Sequence, residues 1–195
     1  ARDPDRPGRG HDDPLALSGS EPALGLARGA IALVAYDIRW AELFRAEALR
    51  LAPLIDSEMR LEHIGSTAVP GLEAKPILDV MLGLPAGRPR EALIEPLASL
   101  GYSHGDSDVI AGRLYFRRDD GRGLRTHQLS VCWLEQPFWR DHLRFRDALR
   151  GDASLAAQYA ALKRALAVRH AGDRIAYSAA KSEFVAAVLA SGEGR

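Results

Sequence analysis

One aspartate stands inside an otherwise apolar run. Residues 77–84 read Ile-Leu-Asp-Val-Met-Leu-Gly-Leu, without the alternation expected of a strand that shows one face to water. Such a run predicts a strand buried on both faces. Pro76 can open this strand but cannot sit within it. Burying a carboxylate there costs several kcal/mol unless a metal, a donor or a ligand compensates it. Upstream, residues 59–64 (Met-Arg-Leu-Glu-His-Ile) alternate as a strand should, and Gly65 ends them. Between the two strands lie Gly65-Ser66, small residues, a Pro70-Gly71 turn and Lys75. Small residues, hydroxyls and an ammonium beside a lone acid suit an approaching phosphate, so the segment reads as a nucleotide site.

The flanks set the fold class. Trp40, Leu43, Phe44, Glu47 and Leu51 follow helical spacing, and Pro53 ends or kinks that helix. A second helix is expected over 90–100, closed by Gly101 and kinked or divided by Pro96. Residues 109–118 and 124–133 read as strands around the turn Asp119-Asp120-Gly121-Arg122-Gly123. Beyond them the period is helical. Phe138, His142, Phe145 and Leu149 form one stripe, Leu155, Tyr159, Leu162 and Leu166 another, and a last helix spans about 177–189. The order predicts an α+β protein, a mixed sheet flanked by helices with a C-terminal helical segment. Residues 1–28 lack periodicity and are expected to form a disordered tail. Residues 29–135 form the core, and 136–190 a helical segment packed on it.

Charge narrows the partners. The chain carries 26 basic and 26 acidic side chains, which argues against a general nucleic-acid or membrane-surface binder. Residues 113–150 nevertheless hold nine arginines against five acids, a local excess suited to a small anion. The lone cysteine, Cys132, rules out an internal disulfide and any multi-cysteine metal site. It reads as a buried thiol within Leu129-Ser130-Val131-Cys132-Trp133. No apolar run reaches spanning length, and the start lacks a basic segment followed by an apolar block. The cytoplasm is the expected compartment.

Residues 63–79, His-Ile-Gly-Ser-Thr-Ala-Val-Pro-Gly-Leu-Glu-Ala-Lys-Pro-Ile-Leu-Asp, resemble the GrpB family, whose members are assigned to the nucleotidyltransferase fold. Residues 34–40, 114–118 and 126–129, together with Phe138–Asp147, Tyr159, Lys163, Tyr177 and Lys181, extend the likeness over about 31–190. The resemblance implies phosphates bound on the Gly65-Ser66 turn with Thr67 beside it. It also implies Mg²⁺ held by Asp79 and by further carboxylates, and ATP or another nucleoside triphosphate as substrate. The chain departs from that pattern. The second carboxylate is expected two residues on, where a strand returns to the same face, and that position is Met81. No acid occurs over 129–133, and Ser130 stands where members commonly carry a second histidine after the one matching His127.

Basic side chains are the natural compensation. Tyr159/Lys163 and Tyr177/Lys181 repeat a spacing that puts phenol and ammonium on one helix face. With Lys75 and Arg117 they are the expected nucleotide contacts, alongside Gly65, Ser66 and Thr67. Asp79 and His127 are the expected catalytic pair, and His63, Arg144 and Arg146 are further candidates. His142, inside an apolar stripe, reads as a core histidine. Three functions stay open: nucleotidyl transfer to a small acceptor, binding of a nucleotide or phosphorylated metabolite without catalysis, and ATP-dependent ligation at the same site.

Overall fold

A computed structural model describes residues 23–105 and 112–191. Five strands form one mixed sheet: β1 (Arg60–Ile64), β2 (Leu78–Leu84), β3 (Ser103–His104), β4 (Leu114–Asp119) and β5 (Arg125–Trp133). Their order is β1-β2-β5-β4-β3. The central pair, β2 and β5, is parallel, and every other pairing is antiparallel. The α+β expectation and its mixed sheet are met. The two-residue edge strand β3 was not legible in the sequence. The part of the expected strand at 109–111 lies outside the described residues.

Period-two alternation gives β2 two dry faces. Leu78, Val80, Leu82 and Leu84 point to one side, where they pack with Trp40 and Leu51 of α1 (Arg39–Leu51) and Leu97 of α2 (Ile94–Ser99). Pro53 ends α1 in a 3-10 turn at Ala52–Leu54. The second helix divides ahead of Pro96, a 3-10 turn at Arg90–Leu93 leading into α2. On the opposite side, Met81 packs with Ile64, Cys132 and Trp139. Trp139 lies so close to the sheet that a Cβ on Gly83 would stand 2.7 Å from its Cζ3, which explains a glycine in mid-strand.

The helical half covers this second side. It comprises α3 (Pro137–Gly151), α4 (Ala153–Arg169), α5 (Arg174–Ala179) and α6 (Ser182–Ser191). The expected last helix is therefore two, broken at residues 180–181. Polar ties bind this half to β1 and the loop after it: Arg146 Nη1 donates to the His63 carbonyl (3.0 Å) and Arg150 Nε to the Ala68 carbonyl (2.9 Å).

The tail expected through residue 28 does not hold for residues 23–28. Leu24 and Leu26 are buried, Trp40 Nε1 donates to the Ala23 carbonyl (2.9 Å), and Leu26 bridges Arg125 with two backbone bonds. Two leucines spaced to face inward, plus the Arg125 end of β5, which β2 does not reach, outweigh the polar composition around them.

Candidate functional site

The β1–β2 turn and the start of β2 build the site. Gly65 adopts φ +71°, a conformation that side chains resist. A Cβ there would lie 2.4 Å from Asp79 Oδ2. The turn and the carboxylate thus approach as closely as glycine allows, and Ser66–Ala68 follow as a 3-10 turn.

Three lysines reach this point from three elements: Lys75 from the loop before β2, Lys163 from α4 and Lys181 from the break between α5 and α6. Lys163 is 2% exposed. Its ammonium donates to Ser66 Oγ (3.0 Å) and to the Glu73 carbonyl. Lys75 and Lys181 lie 4.3 and 4.5 Å from the centroid of the buried Tyr177 ring, which binds both ammonium groups through its π face. With Ser66, Thr67, Asp79 and Gln128 these side chains enclose a cavity of about 170 Å³. Beside it opens a second cavity of about 540 Å³. Ser66, Asp79, Gln128, Ser178 and Lys181 border both.

Electrostatics at the partition are tense. Burial pushes the Asp79 carboxyl up to about 6, although Lys181, Lys75 and Lys163 pull it the other way. Burial, helped by the Lys181 cation, brings Lys163 down to about 7 against the pull of Glu73. Lys181 is lowered too, by burial, with Asp79 opposing. Burial lifts the Tyr177 hydroxyl to about 12, so the phenol stays protonated.

Of the residues expected at the site, Gly65, Ser66, Thr67, Lys75, Asp79, Lys163, Tyr177 and Lys181 converge. Tyr159 borders the larger cavity and carries Lys163 over its ring at 5.1 Å. Arg146 also borders it, but is engaged by Glu62 (2.6 Å) and Asp147 (2.7 Å).

The remaining candidates are elsewhere. His127 is not a partner of Asp79. In the parallel register Asp79 pairs with Gln128, and His127 with Leu78, so the imidazole lies on the opposite face. There it meets Arg118 (2.8 Å to Nε2), Thr126 and Glu47 in a buried polar network, and burial lowers it to about 4. His63 sits on that face as well, stacked on Phe44 and bonded to Thr67 Oγ1 at 3.0 Å; burial lowers it to about 4. It braces the turn from behind. Arg144 donates to the Leu189 carbonyl at 2.8 Å and ties α3 to α6. Arg117 stands opposite Gln128 in β4 and borders neither cavity.

Gln128 and Ser178 were missed by sequence reasoning. Ser178 had a signal, lying three residues before Lys181 where helical side chains share a face. Gln128 had none, because strand register is not written in a single sequence.

The donor set does not fit a two-metal centre. Met81, on Asp79's face, is fully buried, and Glu62, opposite Met81 in β1, is taken by Arg146. Among the described residues no three His, Cys, Asp or Glu side chains gather as metal ligands would. Nor is any helix there long and apolar enough to cross a membrane.

This architecture has a solved counterpart in the crystal structure of conserved protein GrpB from Enterococcus faecalis. The TM-score is 0.71 at 30% identity, over 82% of this chain and 96% of that one. A UPF0157 protein of Pseudomonas aeruginosa is 41% identical over 158 residues, 78% of this chain but 64% of its own length. Glutamate-rich protein GrpB of Alkalihalophilus pseudofirmus is 32% identical over 85% of this chain and 98% of its own. The model of the GrpB protein family matches residues 30–191, and the chain belongs to that family.

Proposed function

We propose that the chain binds the polyphosphate of a nucleotide in the smaller cavity, with lysines supplying the positive charge that metal ions supply in related chemistry. One observation carries the reading: three ammonium groups from separate elements converge on a single carboxylate and a Gly-Ser turn. Holding several like charges under a protein roof is costly without an anion to share them. Burial depresses both Lys163, with the Lys181 cation adding to it, and Lys181, and displaced titrations of this kind gather at functional sites. Ser66 Oγ, backbone amides of the turn and the three lysines supply directional donors for phosphate oxygens. The nucleotidyltransferase assignment of the family agrees with a triphosphate as ligand.

A second reading, nucleotidyl transfer, is favoured by the place of Asp79 on the partition between the cavities. A carboxyl brought up to about 6 is matched to taking a proton from an acceptor hydroxyl near neutral pH. Neither reading routes a step through magnesium: among the described residues Asp79 is the one carboxylate lining the smaller cavity, and the lysines around it already bring positive charge to the place a phosphate would take.

Calorimetric titration with inorganic triphosphate and with ATP, in EDTA and in Mg²⁺, tests the proposal. Both ligands are expected to bind in EDTA, and Lys163→Met is expected to weaken them about 10- to 100-fold, the worth of one charge-assisted bond. Absence of binding in EDTA, or indifference to Lys163→Met, overturns it.

A further inference from the structure

The larger cavity has a chemistry of its own. At about 540 Å³ it is the size of an ordinary small-molecule pocket. Away from the partition one side is apolar, made by Phe138, Phe145 and Leu149 of α3 and Val185 and Leu189 of α6, while Arg113, Asp141 and Arg146 add charge around it. Lysines that grip phosphate have no use for such walls.

Among them stands His142, half-buried at the cavity's border. Its Nδ1 lies 2.7 Å from the Phe138 carbonyl oxygen. A carbonyl can only accept, so Nδ1 carries the hydrogen and the tautomer is fixed. Burial lowers the imidazole from its ordinary value, with Arg113 acting in the same direction and the Phe138 carbonyl and Asp141 opposing, which favours the neutral ring. The other nitrogen, Nε2, is then a hydrogen-bond acceptor, and the Phe138 ring against the imidazole (centroids 4.1 Å apart) holds its plane.

We propose that this cavity seats a second small molecule, one with an apolar body and a hydroxyl or N–H group that donates to His142 Nε2. The seat stands on its own geometry. Naming its occupant the acceptor of a nucleotidyl group rests on the reading given above, since the two cavities share the partition that carries Asp79.

Two probes of matched shape separate these ideas: 2-naphthol, which has the donor, and 2-methylnaphthalene, which does not. The wild-type chain is expected to bind 2-naphthol about threefold to tenfold more tightly, with a shift of the ¹⁵N resonance of His142 Nε2. In His142→Phe the preference disappears while naphthalene binding remains. Val185→Trp, which fills the cavity, removes both probes and leaves inorganic triphosphate bound. Equal affinity of the two probes, no binding of either, or a preference that survives His142→Phe overturns the proposal. Loss of triphosphate binding alone, with the naphthol result intact, instead defeats the phosphate reading and leaves this site standing.

Discussion

Replacing Lys163 by methionine isolates the most strained charge in the site. The ammonium is 2% exposed, and burial brings it from 10.5 to about 7. Its titration is therefore depressed in the native state. Between pH 7 and 10.5 the unfolded chain holds a proton that the folded chain has released, so stability climbs with pH across that window. Each unit is worth about 1.4 kcal/mol, and the three units from pH 7 to 10 amount to about 4 kcal/mol. Lys181 is lowered as well and titrates in the same direction, so the absolute stability of the wild type is not diagnostic. The difference between wild type and Lys163→Met is. Urea unfolding of both proteins at pH 6, 8 and 10 is expected to show that difference moving in favour of the wild type by about 4 kcal/mol. Saturating triphosphate should flatten the trend, because a bound anion restores the ammonium's affinity for its proton. A difference independent of pH would show that Ser66 and Glu73 fully satisfy a permanently charged lysine, and the strain invoked here would not exist.

Two further substitutions test the frame around that lysine. Met81→Asp installs the missing second carboxylate, but beneath Trp139 and beside Ile64 and Cys132; chemical denaturation should show a loss of about 3 kcal/mol or more, with no gain of Mg²⁺ affinity by calorimetry. Gly65→Ala places a methyl 2.4 Å from Asp79 Oδ2 at φ +71°. Its cost should be at least about 1–2 kcal/mol by urea unfolding, with triphosphate binding weakened alongside.

Much of this could be read in advance. The apolar run around Asp79 predicted a doubly buried strand, and the Tyr-x-x-x-Lys spacing predicted lysines sharing a face with a phenol. Both follow from local periodicity, which a single chain carries. What stayed hidden depends on non-local pairing. His127 and Gln128 are equally plausible neighbours of Asp79 until register is known, and one residue of register moves a side chain through the sheet. Leu24 and Leu26 had too short a pattern to signal an arm laid on the sheet. Strand β3, two residues long, had no period at all. The division into α5 and α6 was masked because Tyr177 and Lys181 keep nearly helical spacing across the break. His142 reads as core because its stripe is apolar. Only the fold shows that this stripe lines a cavity.

The decisive measurement is the affinity of Asp79→Asn for inorganic triphosphate at pH 7.5, in EDTA and in Mg²⁺. Lysines as the phosphate ligands predict an affinity equal to or above that of wild type in either buffer, because the lost carboxylate was a like charge beside the anion. Binding that requires Mg²⁺ in the wild type and vanishes in Asp79→Asn would make Asp79 a metal ligand and contradict the account.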